Sequence, residues 1–170
     1  QLYLPLPMRP SIVNVYLGRD GDEWALIDTG MHSEDSIATF EAALAQVGCP
    51  PSAIRKIIST HHHVDHFGTS RKYKELTGAE VYLNPLEIPR IERMQSTTPL
   101  PEAMDFFRSH GVPIPDSPDG MPTPGRYFGT LYAPAQPDHL LHDGDVLHIG
   151  KREVQVVWTP GHTAGHCCLY

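Results

Sequence analysis

The sequence predicts an α/β fold in which a mixed sheet is covered by helices. Three observations lead there. Short apolar, β-branched runs alternate with stretches whose apolar residues recur at helical spacing, in the order β-β-α-β-α-β over the first half of the chain. Glycine and proline punctuate the ends of these runs. Hydrophobic residues make up 40% of the 170 residues, enough for the core of one domain.

Residues 11–17, with Ile12, Val13, Val15 and Tyr16, predict a strand. A turn over 18–22 leads to a second strand at 23–28, which ends in Asp28-Thr29-Gly30, so the two form a hairpin. Ser33 has N-cap chemistry, with Glu34 and Asp35 suited to a first helical turn. Ile37, Phe40, Ala43, Leu44 and Val47 then follow helical spacing until Gly48 and two prolines stop the helix. Residues 54–60 predict a strand that feeds into a histidine cluster. A helix over 67–77 ends at Gly78, and 79–83 is the next strand.

Residues 85–137 hold 11 of the 17 prolines, and we treat them as an insertion that caps another part of the domain. Weak helical patterns fall near 86–95 and 101–109, and loop is expected from 111 to 137. Beyond it, 140–149 predicts a hairpin around Asp143-Gly144. Residues 154–158 form a strand broken by Thr159-Pro160-Gly161-His162, and 167–170 begin another.

Composition narrows the function. The net charge is −7 and no basic run stands out, which argues against nucleic acid as a partner. No apolar run approaches the roughly 20 residues of a membrane helix, and the N-terminus lacks a leader's pattern. Cys49, Cys167 and Cys168 make a poor disulfide framework. Reduced thiols in the cytoplasm are expected, with a small molecule as substrate.

The chemistry concentrates at Thr60-His61-His62-His63-Val64-Asp65-His66. On an extended backbone His61 and His63 point to one side and His62 to the other. Asp65 and His66 lie at the turn into a helix and can face back toward the strand end. An open set of imidazole and carboxylate ligands suits a catalytic metal rather than a structural one. A chance histidine run or a tag would sit at a terminus and lack the interleaved aspartate.

His61-x-His63-x-Asp65-His66 resembles the signature of the metallo-β-lactamase superfamily. Asp28-Thr29-Gly30 resembles its early Asp motif, and Thr159-Pro-Gly-His-Thr-Ala-Gly-His166 its second His motif. The Thr-His-His-His-x-Asp-His wording is similar to the glyoxalase II-like branch. The resemblance covers nearly the whole chain, least over 85–137.

It implies the N-terminal half of an αβ/βα sandwich. It implies that His61, His63 and His162 bind one metal, and that Asp65 and His66 bind a second. Asp28 would hold a ligand in place, and His166 would lie near the site without ligating. Zinc is the expected ion, with iron or manganese as options. The implied reaction is attack of a metal-bound hydroxide on an ester, thioester, lactone or amide carbonyl, with Asp65 orienting the nucleophile or shuttling its proton.

Two other readings stay open: a mono-iron dioxygenase of the persulfide dioxygenase type, and a non-catalytic metal-binding module. A complete family member continues to a bridging Asp and a last His that these 170 residues do not contain. The expectation is therefore one tight metal, one weak metal and weak hydrolysis. A sheet face left uncovered would be closed by dimerisation or by further chain. Thr69 departs from the family, which often has a second Gly after Gly68.

Overall fold

The computed structural model describes residues 1–98, 100–113 and 123–170. The described strands form two sheets. The first runs β1 (Leu2–Pro5), β2 (Ile12–Asp20), β3 (Glu23–Ile27), β4 (Ile54–Ile58), β5 (Glu80–Leu83) and β6 (His139–Leu140), in that order. Its first three strands are antiparallel, and β3 to β6 are parallel. The second sheet is antiparallel: β7 (Val146–Ile149), β8 (Arg152–Trp158) and β9 (Cys167–Leu169).

Helices α1 (Glu34–Val47), α2 (Val64–Phe67) and α3 (Ser70–Thr77) cover one face of the first sheet. Ser33 caps α1 by accepting from the Ser36 N–H at 3.3 Å, and Gly48 closes it in the left-handed conformation at φ 67°. Phe40 from α1 stacks on Tyr73 from α3 at 4.1 Å, both fully buried over Leu26, Ile57 and Val81. The opposite face of the first sheet packs on the second sheet. Ala25, Ile58 and Tyr82 meet Ile149, Val156 and Cys167 there. With helices on one side and a sheet on the other, β3 and β5 bury residues on both faces and read as short apolar runs after an initial glutamate, while β4 interposes Arg55 and Lys56 between Ile54 and Ile57.

The second sheet thus supplies the cover that the first sheet needs. The exposed face lies one layer further out, where His148, Glu153, Gln155 and Cys168 face solvent.

Several elements differ from the sequence reading. Residues 2–5 form a strand whose Leu4 is fully buried, despite the prolines at 5 and 7. An edge strand tolerates proline because one side of its backbone carries no ladder. The hairpin turn shrinks to Gly21-Asp22, because β2 continues through Asp20. The helix expected over 67–77 is two helices, with Gly68 and Thr69 between them.

Asp143-Gly144 is a turn but not a hairpin. β6 before it joins the first sheet and β7 after it the second, so the turn carries the chain from one layer to the other. The hairpin is instead β7–β8, turning at Gly150-Lys151.

In the proline-rich region the two weak patterns become α4 (Ile88–Gln95) and α5 (Pro101–Ser109). A third helix, α6 (Pro124–Phe128), interrupts the expected loop, whose residues 114–122 lie outside the described ones. α6 butts on the end of α4. The Gly125 N–H donates to the Ser96 carbonyl at 3.1 Å, and a Cβ at 125 would sit 2.4 Å from the Gln95 carbonyl.

Candidate metal centre

The site forms at the carboxyl ends of the parallel strands, where open α/β sheets leave a crevice between diverging connections. Asp28 follows β3, the histidine cluster follows β4, and Asn84 follows β5. The β8–β9 connection, residues 159–166, approaches from the second sheet, and the Cys167 N–H donates to the Thr60 carbonyl at 3.0 Å.

His61, His63 and His162 converge so that one nitrogen from each lies within 4.8 Å of the others. His61 is buried, His63 intermediate and His162 exposed. His61 Nε2 is shielded from solvent and has no hydrogen-bond partner among the described residues. A buried polar atom without a partner is costly unless something else satisfies it. An ion held by the three imidazoles would do so.

Asp28 organises this arrangement. It is the described non-glycine residue with a left-handed backbone, φ 61°, and its carboxylate is nearly buried. It accepts from the Thr60 N–H at 2.8 Å, from the Thr60 hydroxyl at 3.0 Å, from the Ser59 hydroxyl at 3.2 Å, and from His66 Nδ1 at 2.8 Å. The Thr60 hydroxyl has one proton. Donating it to Asp28 leaves the oxygen to accept from His61 Nδ1, 2.9 Å away. Both histidines therefore carry their proton on Nδ1 and present a bare Nε2.

Asp65 and His66 lie beside the triad. His66 Nε2 is 3.6 Å from an Asp65 oxygen, and its ring centroid is 4.2 Å from that of His61. His166 stands further off, at 5.3 Å from His61 and 6.2 Å from His162, with its Nδ1 on the Thr159 hydroxyl at 2.8 Å. All seven residues singled out in the sequence thus gather in one region. Three form the tight cluster, two an adjoining pair, and Asp28 and His166 stand behind.

The electrostatics follow from crowding. Burial, and then repulsion from neighbouring imidazoles, push His61 down to about 2 and His63 to about 4. Burial would also lower His66, but its bond to Asp28 and the negative charges of Asp28 and Asp65 together outweigh that and raise it.

Sequence reasoning missed Glu87. This carboxylate, on the turn between β5 and α4, has no solvent exposure. It accepts from the His62 N–H at 2.9 Å and from the Gly165 N–H at 2.6 Å, and it is in direct contact with His62 Nδ1. It therefore ties the loop bearing His61 and His63 to the loop bearing His162. A Cβ at Gly165 would sit 2.8 Å from this carboxylate, so only glycine allows the approach. Burial raises the Glu87 acid, yet the bonds from His62 and Gly165 more than offset it and hold it at about 2. Tyr132 adds a brace by donating its hydroxyl to the His62 carbonyl at 2.8 Å. Nothing in the local sequence marks Glu87 or Tyr132, because neither has motif spacing to the histidines.

His62 turns its Nδ1 onto Glu87 rather than into the triad, while its ring stays 4.8 Å from that of His63. Thr69, the departure from the family pattern, is fully buried and donates its hydroxyl to the Gly30 carbonyl at 3.2 Å. Gly68 beside it has no room for a side chain, since a Cβ would lie 2.1 Å from the Val64 carbonyl. His139 stacks on Tyr82 at 4.5 Å, away from the centre. His32 lies at the start of α1, with a buried Nδ1 that has no partner among the described residues. No helix of the described residues is long and apolar enough to cross a membrane.

Residues 8–170 match the family model of the metallo-β-lactamase superfamily. An uncharacterized protein of Aquifex aeolicus (strain VF5) is 31% identical over 97% of the chain and 63% of its own length. An acyl-coenzyme A thioesterase from Gallus gallus is 28% identical over 92% of the chain and 52% of its own length. A hydroxyacylglutathione hydrolase from Maricaulis maris (strain MCS10) is 29% identical over 69% of the chain and 29% of its own length. The crystal structure of a metallo-β-lactamase family protein from Thermus thermophilus superposes with a TM-score of 0.83 at 30% identity, covering 99% of the chain and 54% of that structure. The chain thus spans between about a third and two thirds of the length of these proteins.

Proposed function

The chain belongs to the metallo-β-lactamase superfamily, and from that premise we propose that it carries the metal-binding part of a hydrolase acting on a carbonyl, with a thioester as the favoured substrate. The observation that carries this reading is the convergence of His61, His63 and His162 around a buried, unpartnered Nε2. The thioester preference draws on the relatives, one an acyl-coenzyme A thioesterase and another a hydroxyacylglutathione hydrolase.

In this reading His61, His63 and His162 hold one ion and Asp65 with His66 a second, zinc in both. Bound there, the metal lowers the pKa of its water toward neutrality and polarises the substrate carbonyl. Asp28 keeps His66 and, through Thr60, His61 in the tautomer that offers Nε2. The Asp65 carboxylate, exposed enough to meet solvent, orients the attacking water and takes its proton. Glu87 keeps the two histidine loops at a fixed separation, so the ligands need little rearrangement on loading.

The test is turnover of acyl thioesters by the zinc-loaded protein, before and after removal of zinc with a chelator. Zinc-dependent thioester hydrolysis is expected. If an iron-loaded sample instead consumes oxygen with a persulfide substrate and no thioester is cleaved, the hydrolase reading is wrong.

A further inference from the structure

A pocket of about 420 Å³ opens beside the histidine triad. His63 and His162 line one part of it, Thr163 and Ala164 another, and Arg90 of α4 a third. Arg90 is exposed and has neither an ion pair nor a hydrogen bond among the described residues. The chain is acidic, with 20 Asp and Glu against 13 Lys and Arg, so carboxylate partners are not scarce. Lys56, Lys74, Arg108 and Arg152 each have one.

The loop opposite Arg90 is also short of acceptors. The backbone N–H groups of Thr163 and Ala164 bond to no acceptor among the described residues, whereas Gly165 next to them is held by Glu87. A guanidinium and a loop with unbonded N–H groups line one polar cavity, and both kinds of donor suit an oxyanion, the guanidinium by its fork and the loop by its dipoles.

We propose that this pocket binds an anionic end of the substrate, a carboxylate or a phosphate, through Arg90. Arg90 thereby determines specificity, placing a negatively charged arm of the substrate so that its carbonyl lies over His63 and His162. This rests on the hydrolase reading above for the identity of the reaction, but not for the binding of the anion. An acidic protein repels anionic substrates at long range, and a single unpaired arginine at the mouth of the site gives them a local landing point.

Two measurements test it. The first compares acetyl thioesters of 3-mercaptopropionate, of 2-mercaptoethyl phosphate and of uncharged 2-mercaptoethanol. The native protein should prefer one of the charged pair, and Arg90→Ala should reduce the ratio of kcat/KM for charged over neutral thioester about fivefold, chiefly through KM. Arg90→Lys should recover part of the ratio, and 1 M salt should mimic Arg90→Ala in the native protein. Whichever charged thioester loses more identifies carboxylate or phosphate as the ligand. The second titrates 3-(methylthio)propionate and inorganic phosphate into the metal-free protein, followed by NMR. One of them should shift the amides of 161–164 in the native protein and not in Arg90→Ala.

Thioester turnover with a charged-to-neutral ratio that Arg90→Ala leaves unaltered would overturn the pocket and spare the hydrolase. Anion binding through Arg90 without any thioester turnover would overturn the hydrolase and spare the pocket.

Discussion

The Asp28 carboxylate accepts from His66 Nδ1 at 2.8 Å, so the residue that follows β3 fixes the direction in which His66 points its other nitrogen. The same carboxylate reaches His61 through the Thr60 hydroxyl. One side chain thus sets the tautomer of a histidine in the tight cluster and of one in the adjoining pair. Asp28→Asn replaces an acceptor oxygen by a donor facing His66. Metal affinity at the Asp65–His66 pair should fall about 10- to 100-fold, and less at the triad. Competition against a chromophoric zinc chelator measures both. Unchanged affinity at the pair would refute the assignment.

Thr60→Val tests the relay alone. Valine keeps the shape but removes the hydroxyl between Asp28 and His61. The triad should bind zinc about tenfold more weakly, with near-UV circular dichroism unchanged. Loss of the fold itself would mean that Thr60 acts through the Asp28 turn rather than through His61.

Glu87 links stability to pH. Its acid is held at about 2, below the ordinary carboxylate value of 4.5. A depressed folded-state value contributes stability that is present above about 4.5 and lost as pH falls toward 2. Urea unfolding at pH 7 and pH 3 should show a steep acid loss in the native protein and a shallower one in Glu87→Gln. Equal slopes would show that Glu87 is not held ionised by its neighbours.

The crowded histidines act in the same direction over a higher range. His61 and His63 are held at about 2 and about 4, while an unfolded chain takes protons on both near 6.5. Lowering pH below 6.5 therefore favours the unfolded state, which binds more protons, until the folded values are reached. Thermal unfolding of chelator-treated protein should show the midpoint dropping between pH 6.5 and 4. Saturating zinc at pH 7 should raise the midpoint, because the ion binds the folded state. A midpoint that is flat between pH 6.5 and 4 would mean that these imidazoles are not crowded in solution.

The fold is legible where a residue's environment is set by its near neighbours along the chain. Ser33 and Gly48 bound α1 through bonds that span three or four residues, and the alternation of Ile12 to Tyr16 marks a strand with one buried face. β3, β4 and β5 read as strands, but nothing in them points to the second sheet that buries their other face. The turn at Asp143-Gly144 is legible as a turn, yet local chemistry does not say whether the strands on either side pair with each other.

The site divides the same way. The His61-x-His63-x-Asp65-His66 cluster is legible in the sequence, since its imidazole and carboxylate groups lie within six residues of one another. His162, nearly a hundred residues on, enters the sequence reading only through the resemblance of its motif, while its meeting with His61 and His63 and the hold of Glu87 on the two loops come from the packing of the sheets. The physical reason is range. Spacing encodes direction over a few residues, whereas bringing a carboxylate on the turn after β5 into bonding distance of Gly165 requires the packed sheets.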